Sequence, residues 1–372
     1  MAEEDKTRNN SVQHTNPPIN WFENLQKYLM GNMEVLDQFL EDKPVLLQFP
    51  IWMLRATGAP IFVNNPLSGV FILAALFYSN SWVSVCALMS LVVAISTALL
   101  LNRDQSEISS GGITFNSMLT GIIVSSMIDK DDWYPWTIFP IVFLSFSCYG
   151  LNNIFSAIEA PALNLPFCVL SFIFIGSCLS NTDNNYFPIK TSVGYNYTDD
   201  LEWGKVFKSI VTSAAQIYGS DKVVCGVLVL MGLFVSSPII CLHAVLGVIY
   251  SSLVAVAIDA PPEEIYNGSW SYCALLTCAS LGGFFIVLNI RTHILAITGA
   301  CLSTIAFGAL RESLKPLPVL AFPFVLTAVI LYKSADDVYF KKIPLQSISY
   351  PEKHIKEYGH QNSAVSPIVP PV

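Results

Sequence analysis

One pattern occurs twice in the sequence: Pro161-Ala162-Leu163-Asn164-Leu165-Pro166-Phe167 and, 157 positions later, Pro318-Val319-Leu320-Ala321-Phe322-Pro323-Phe324. Each stretch, called a proline box below, places two prolines in apolar sequence. A proline removes a helix hydrogen bond and clashes with the preceding turn, so each box predicts a broken helix, at Pro161, Pro166, Pro318 and Pro323. In a bilayer, such a break is stable only where protein or a watery cavity satisfies the freed carbonyls. The pair therefore predicts two broken helices that meet at a pathway.

The same offset of 157 positions relates further residues of the two halves. They comprise turn glycines, a Glu-Ile pair and a Leu-Thr pair: Gly69 with Gly226, Glu107 with Glu264, Ile108 with Ile265, Gly111 with Gly268, Leu119 with Leu276, and Thr120 with Thr277. One offset without gaps relates all of them. This favours an ancient duplication over the alternative, a chance coincidence of isolated residues.

The composition is typical of a protein that lies in the lipid bilayer. Of 372 residues, 53% are hydrophobic and only 12% are charged, whereas soluble domains carry about 25% charged residues. The net charge of −8 argues against nucleic acid as a partner. The nine cysteines have no CxxC pattern and no metal-ligand spacing, so small buried hydrophobes are favoured over disulfides or metal, and no cofactor is predicted.

Polarity divides the chain into five segments: a cytosolic N-terminal segment (1–45), a first membrane repeat (46–181), an extracellular loop (182–203), a second membrane repeat (204–335) and a cytosolic C-terminal tail (336–372). No apolar run precedes a cleavage site near the start, so we expect no signal peptide. Basic residues flank the apolar region at both ends, which predicts that both termini are cytosolic. Asn196 begins an Asn-Tyr-Thr glycosylation sequon, which implies an extracellular loop if it is used.

An extracellular central loop requires each half to cross the membrane an odd number of times, which inverts one half relative to the other. We therefore predict an all-α polytopic membrane protein of two inverted-topology repeats. About ten transmembrane helices and two half-spanning elements would surround a central pore, because several apolar runs are shorter than the ~20 residues that span a bilayer. Gly111-Gly112-Ile113-Thr114-Phe115-Asn116 is typical of the start of a half-spanning element.

A set of motifs between residues 45 and 335 resembles the urea transporter family: Val45-Leu46-Leu47-Gln48-Phe49, Asn65-Pro66-Leu67-Ser68-Gly69, Asn116 to Gly121, Leu165-Pro166-Phe167, Gln216-Ile217-Tyr218-Gly219, Ser236-Ser237-Pro238, Cys241-Leu242-His243 and Pro323-Phe324. The resemblance implies a channel-like facilitator of urea in the plasma membrane, which is not an enzyme. It also implies a homotrimer with one pore inside each protomer.

Urea is small, flat and neutral, so its passage requires hydrogen-bond acceptors in series and apolar walls that exclude ions. Carbonyls exposed at the proline breaks would supply the acceptors. We expect the walls and the constriction to be formed by apolar side chains of the boxes and of the half-spanning elements: Leu165, Phe167, Phe322, Phe324, Leu119 and Leu276. The alternative is that these side chains only pack between helices.

The resemblance also implies four polar filter side chains, and two of them are missing from this chain. In the family, a threonine usually stands two residues before the second proline of each box, and a glutamine or glutamate usually forms a second symmetric pair. The residues here are Asn164 and Ala321, and Gln216 and Ala59. Cys273 stands where an asparagine like Asn116 is expected. Each lost acceptor costs about 1 kcal/mol or more for a desolvated donor. The sequence thus predicts an asymmetric filter.

Urea permeation is the first interpretation, and several alternatives stay open. A wider, less polar slot would admit methylurea, acetamide, ammonia or water. An ion-coupled secondary transporter would share inverted repeats and broken helices, but neither proline box contains the carboxylate that such proteins usually carry. A membrane enzyme is disfavoured, because no catalytic set of residues recurs in the sequence. A non-conducting scaffold or an inactive family member is compatible with the repeat.

Overall fold

The computed structural model describes residues 27–156, 161–180, 185–190 and 201–359. Within these ranges the chain is helical, apart from two isolated β-bridges that join Ile128 to Ile189 and Ile286 to Lys342. Asn196 and most of the predicted extracellular loop lie outside the described residues, as do residues 1–26 and 360–372.

Helices of the first half follow a short N-terminal helix, α1 (Glu34–Leu40). They are α2 (Val45–Gly58), α3 (Pro66–Ser79), α4 (Ser81–Leu100), α5 (Gln105–Ser109), α6 (Phe115–Met127), α7 (Ile138–Ser156) and α8 (Leu165–Ser180). Asn65 and Asn80 begin α3 and α4 as N-caps, because their side-chain oxygens accept backbone N–H groups of the first turn.

Helices of the second half repeat this order and precede a C-terminal helix, α16 (Pro351–Gly359). They are α9 (Trp203–Gln216), α10 (Val223–Ser236), α11 (Pro238–Ala257), α12 (Pro262–Tyr266), α13 (Tyr272–Ala279), α14 (Ile290–Ser313) and α15 (Phe322–Ser334). A distorted segment, Ser280–Phe284, extends α13 and bends at Gly282 and Gly283.

Element boundaries in the two halves differ by the sequence offset. Helices α3, α4 and α5 match α10, α11 and α12 residue for residue when 157 is added to their bounds. Left-handed backbone conformations follow the same rule, at Asn102 and Asp259, Leu163 and Leu320, and Phe62 and Gly219. The two halves thus share their local backbone structure as well as their sequence pattern.

Helices α3 and α10, which are related by the offset, pack against each other in antiparallel directions. Near the start of α3, Ser68 Oγ donates to the carbonyl of Gly232 at 2.7 Å, late in α10. Near the end of α3, the Ala75 carbonyl accepts from Cys225 Sγ at 3.2 Å, early in α10. The N-terminal part of α3 therefore contacts the C-terminal part of α10, and the C-terminal part of α3 contacts the N-terminal part of α10.

Two glycines allow the neighbouring helices to approach closely, again at equivalent positions. A Cβ atom at Gly69 would lie 2.1 Å from the carbonyl oxygen of Leu54, and one at Gly226 would lie 1.9 Å from that of Val211. No side chain fits at these distances, so α2 with α3, and α9 with α10, cross with their backbones in contact. The sequence offset had already singled out this pair of glycines.

Four helices in the described ranges are long and apolar enough to cross a membrane: Ser81–Leu100, Pro135–Ile154, Pro238–Ala257 and Ile290–Ser313. Val45–Ile61 and Pro66–Ser79 together pass the same test but are bent by 78°. Five further apolar helices are shorter, among them α6 and α8. The fold is that of a helical membrane protein, and the number of about ten crossings stays a prediction.

Candidate functional site

The two proline boxes form the same turn, which leads into a helix. Leu163 and Leu320 have left-handed backbones, with φ of 48° and 52°. Helices α8 and α15 begin two residues later, and Pro166 and Pro323 are their second residues. A proline in the first helical turn sacrifices no intrahelical hydrogen bond. Pro161 and Pro318 lie in the non-helical segments before these turns.

The carbonyl at the tip of each turn accepts a hydrogen bond from an earlier helix, α6 in the first half and α13 in the second. Asn116 Nδ2 donates to the Leu163 carbonyl at 2.9 Å. In the second half, Cys273 Sγ lies 3.6 Å from the Leu320 carbonyl, and the Tyr272 hydroxyl donates to the same oxygen. Cys273 thus occupies the place of Asn116, and a tyrosine that the sequence reasoning missed makes the stronger contact. The offset of 157, which pairs Tyr272 with Phe115 beside Asn116, was the feature of the sequence that could have identified this tyrosine.

Asn116 belongs to a buried network that ties three segments together. Its Nδ2 also donates to Asn152 Oδ1 at 3.1 Å, and Asn152 Nδ2 donates to the Ile113 carbonyl at 3.0 Å. The side chain of Asn116 is fully buried, and its Oδ1 has no partner in the part of the chain that the structure describes. The amide of Asn116 therefore positions the first box.

Asn164 is almost completely buried, with 3% of its surface exposed. Among the described residues, its side-chain amide makes no hydrogen bond to the protein, although its backbone carbonyl accepts from Cys168 N at 3.0 Å. The amide therefore keeps both its donors and its acceptor for another molecule. Its counterpart Ala321 is equally buried, at 4%, and offers no polar side-chain atom.

The second expected pair is likewise unequal. Gln216 is the last residue of α9, is half-buried, and donates from Nε2 to the Asn267 carbonyl at 3.0 Å. This bond uses one donor and leaves the side-chain oxygen as an acceptor. Ala59 is half-buried at the start of a short 3₁₀ turn, Ala59–Ile61, and has only a methyl group.

The apolar side chains expected at the pathway belong to one large hydrophobic cluster. Leu119, Leu276, Phe167 and Phe324 are buried in it, whereas Leu165 and Phe322 are half-buried at its edge. The structure therefore brings the walls of both boxes together.

Phe62 is an aromatic residue that the sequence reasoning did not single out. Its ring centroid lies 4.9 Å from that of Phe284 and 5.9 Å from those of Phe285 and Phe324. These four rings form what we call the aromatic cluster. Phe62 has a φ of 64°, which is unfavourable for a bulky residue, and its counterpart Gly219 adopts a φ of 70° without this cost.

A cavity of about 270 Å³ lies at the C-terminal ends of α3 and α6. Polar and small residues form much of its wall, including Ser79, Asn80, Ser125, Ser126, Tyr218 and Gly219. None of the filter residues predicted from the sequence lines it. Leu119 lies two turns earlier on α6, about 10 Å along the helix axis from Ser126.

A buried carboxylate, Glu264, holds α12 in place before α13 begins. Glu264 accepts from Trp270 Nε1 at 3.1 Å and pairs with the Arg311 guanidinium. Its first-half counterpart Glu107 is exposed and lies 3.8 Å from Arg103. The two equivalent carboxylates therefore differ in burial and in their ion-pair geometry.

Comparison with known proteins gives one consistent answer. The urea transporter family matches residues 51–335. Urea transporter 1 from Rattus norvegicus, Mus musculus and Ovis aries is in each case 33% identical over 340 residues, which cover 88% of this chain and 88% of the relative. The chain belongs to the urea transporter family, whose members are membrane transport proteins rather than enzymes.

Proposed function

We propose that the protein carries out channel-like facilitated diffusion of urea down its gradient. Membership of the urea transporter family supports urea as the solute. The pathway would lie between two inverted repeats in each protomer of a homotrimer in the plasma membrane. The shared element boundaries and the antiparallel packing of α3 against α10 support the inverted repeats. Two half-spanning elements would be α6 and α13 with its distorted extension.

The unpaired amide of Asn164 is the observation that carries the proposal. Its side chain is almost completely buried, and its donors and acceptor have no protein partner among the described residues. An amide matches urea, which has a carbonyl acceptor and N–H donors, so it would replace part of the water that urea sheds. Burial of such a group without a partner is costly unless a solute or water meets it.

Backbone carbonyls would supply the remaining acceptors. Leu163 and Leu320 each present a carbonyl at a turn tip, and each carbonyl has two lone pairs. One protein donor fixes the Leu163 oxygen and leaves it a second lone pair for a solute, whereas the Leu320 oxygen already accepts from both Tyr272 and Cys273. The side-chain oxygen of Gln216 would add a further acceptor, which its counterpart Ala59 lacks.

The surrounding residues favour a neutral solute over an ion. Leu119, Leu276, Phe167 and Phe324 offer no group that could replace the hydration shell of an ion. Because Ala59 and Ala321 lack polar side chains, urea analogues with fewer donors, such as acetamide and methylurea, are the second candidate solutes.

The topology is part of the same proposal. Both termini would be cytosolic, and the loop 182–203 would be extracellular with a glycan on Asn196. Basic residues at the two ends and the sequon support this orientation. Glycosidase treatment and protease protection of sealed cells test it, and an unmodified Asn196 on a cytosolic loop would contradict it.

Flux into proteoliposomes tests the proposed function directly. Purified protein should pass urea without dependence on Na⁺, a pH gradient or voltage, and Asn164→Ala should lower urea flux about fivefold, since one hydrogen bond is worth about 1 kcal/mol. Gln105→Ala changes an exposed polar residue and serves as the control. Urea flux that stops without an ion gradient would instead identify a coupled transporter, and unchanged flux in Asn164→Ala would remove the residue from the pathway.

A further inference from the structure

The two ends of the α3–α10 pair differ although the repeat relates them. At the C-terminal end of α3 lies the open cavity, lined in part by Ser125, Ser126, Ile128 and Gly219. Shifting these positions by 157 gives the residues at the other end: Gly282, Gly283, Phe285 and Phe62. That end is filled by the aromatic cluster and by residues of the two terminal segments. We call it the terminal face.

Helix α16 is seated on the terminal face through two side chains. Glu352 accepts from Ser237 Oγ at 2.7 Å and from the Ile239 backbone N–H at 3.0 Å, so it occupies the N-terminus of α11, where a carboxylate is favourable. His354 is fully buried, with Nδ1 3.1 Å from the Gly283 carbonyl and Nε2 accepting from Ser349 N at 2.9 Å.

Both ring nitrogens of His354 thus have hydrogen-bond partners when the ring is neutral and its proton is on Nδ1. Burial lowers the pKa of His354, which also favours the neutral form. Pro351, at the start of the same helix, lies so close that a Cβ atom on Gly283 would be 2.9 Å from its Cβ. Helix α16 therefore contacts the bend of the distorted segment directly.

The N-terminal segment holds α16 from the other side. Asn32 Nδ2 donates to Ser349 Oγ at 3.0 Å, and Lys353 Nζ pairs with Glu34 at 2.7 Å. A Cβ atom on Gly31 would lie 2.3 Å from the ring of Tyr350. We call residues 31–37 and 349–354 together the terminal clasp.

A buried arginine anchors the clasp to the first half. Arg55 on α2 is 2% exposed, pairs with Asp37 at 2.6 Å and donates to the Asn32 carbonyl at 3.0 Å. On the second half, the anchors are Ser237 and Gly283. The clasp consequently bridges the two halves on one face of the molecule, and the equivalent place on the opposite face is the cavity.

The aromatic cluster is continuous with the clasp along the chain. Gly283, which accepts from His354, is followed directly by Phe284 and Phe285, whose rings pack on Phe62. Phe62 in turn packs on Phe324, a wall residue of the proposed pathway. Docking of α16 therefore holds the bend in the position that brings these rings together.

We propose that the terminal clasp is a lid: while docked, it keeps the aromatic cluster closed at this end of the pathway, and its release opens the pathway. This inference rests on the proposed function, because it requires solute to pass Phe324. Among the residues that the structure describes, the cavity at the opposite face has no counterpart of α16, so we expect the two mouths to be regulated differently.

Reversible cross-linking of the clasp is the decisive test. Asn32→Cys with Ser349→Cys places two thiols on side chains that are in contact, and a short reducible bismethanethiosulfonate reagent then links them. Urea flux into proteoliposomes should fall at least fivefold in the linked protein and recover on reduction. The two single-cysteine variants and the unsubstituted chain, with its nine native cysteines, are the controls.

The outcomes separate the lid from the proposed function. Linked protein, verified by mass spectrometry, that passes urea as fast as reduced protein would overturn the lid alone. An unsubstituted protein without urea flux would overturn the proposed function and the lid with it.

A release variant tests the opposite direction. Glu352→Gln removes the charge at the N-terminus of α11, so it should raise urea flux at least twofold and speed maleimide labelling of a Ser349→Cys background. Glu357→Gln, an exposed carboxylate on the same helix, should do neither. Faster labelling without higher flux would overturn the lid, and unchanged labelling would overturn the role assigned to Glu352.

Discussion

The two proline boxes share a backbone and differ in chemistry. In both, a leucine with a left-handed backbone precedes a helix, and its carbonyl accepts a hydrogen bond from α6 or α13. The first box presents the free amide of Asn164, whereas the second presents the methyl group of Ala321. The comparison teaches that the shared sequence pattern specifies the geometry of the turn, while single side chains decide which polar groups the turn presents.

The hydrogen bonds that hold the two boxes in place also differ. An asparagine network orients the Leu163 carbonyl, whereas Tyr272 and Cys273 orient that of Leu320. The second half adds the Glu264–Arg311 pair. Each half thus reaches the same turn with its own set of contacts, so equivalent substitutions in the two halves should have unequal effects.

The largest expected difference concerns Asn116 and Cys273. Asn116→Ala removes two hydrogen bonds and leaves the buried Leu163 carbonyl and Asn152 without this partner, so we expect a loss of about 3 kcal/mol in stability. Cys273→Ala should cost less than half of this, because the Tyr272 hydroxyl still donates to Leu320. Thermal unfolding in detergent measures both, and equal shifts in Tm would contradict the asymmetry.

The two equivalent carboxylates give the next difference. Glu264→Gln leaves Arg311 with a weakened partner in a mostly buried place, and we expect a loss of about 2 kcal/mol. Glu107→Gln affects an exposed pair and should change stability by less than about 0.5 kcal/mol. The same unfolding experiment applies. If the Glu107 variant were as unstable as the Glu264 variant, burial would not explain how much each ion pair contributes to stability.

The smallest expected effect restores a polar group to the second box. Ala321→Thr adds a hydroxyl near the Leu320 turn, and an additional hydrogen bond of about 1 kcal/mol should raise the flux ratio of urea to acetamide about fivefold. Proteoliposome fluxes of the two solutes measure this ratio. Ala328→Thr, a buried change later on α15, is the control. A ratio that does not change would place Ala321 away from the solute.

Much of the fold could be predicted because it depends on residues with restricted backbones. The offset paired Gly69 with Gly226 as turn glycines, and the structure places them inside helices at close crossings. Pro166 and Pro323 were expected to break helices, and they are the second residues of α8 and α15. The terminal clasp could not be predicted. Its contacts join residues more than three hundred positions apart, and polar residues such as Asn32 and Ser349 carry no periodic signal.

The candidate site was predicted only in part. Asn164 and Gln216 were named from the resemblance to the urea transporter family, and Phe167 and Phe324 from their places after the second prolines. Their location at a pathway stays a prediction. Tyr272 and Phe62 were missed, because their roles depend on which carbonyl or ring lies opposite, and this is a property of packing rather than of spacing.

An exchange of side chains between the boxes tests the central claim most directly. If solute passes between two equivalent turns, the amide of Asn164 should function on either one. Asn164→Ala should therefore lower urea flux about fivefold, and Asn164→Ala combined with Ala321→Asn should recover most of it. A double variant that is as slow as the single variant, with its fold intact by Tm, would contradict a pathway shared by the two boxes.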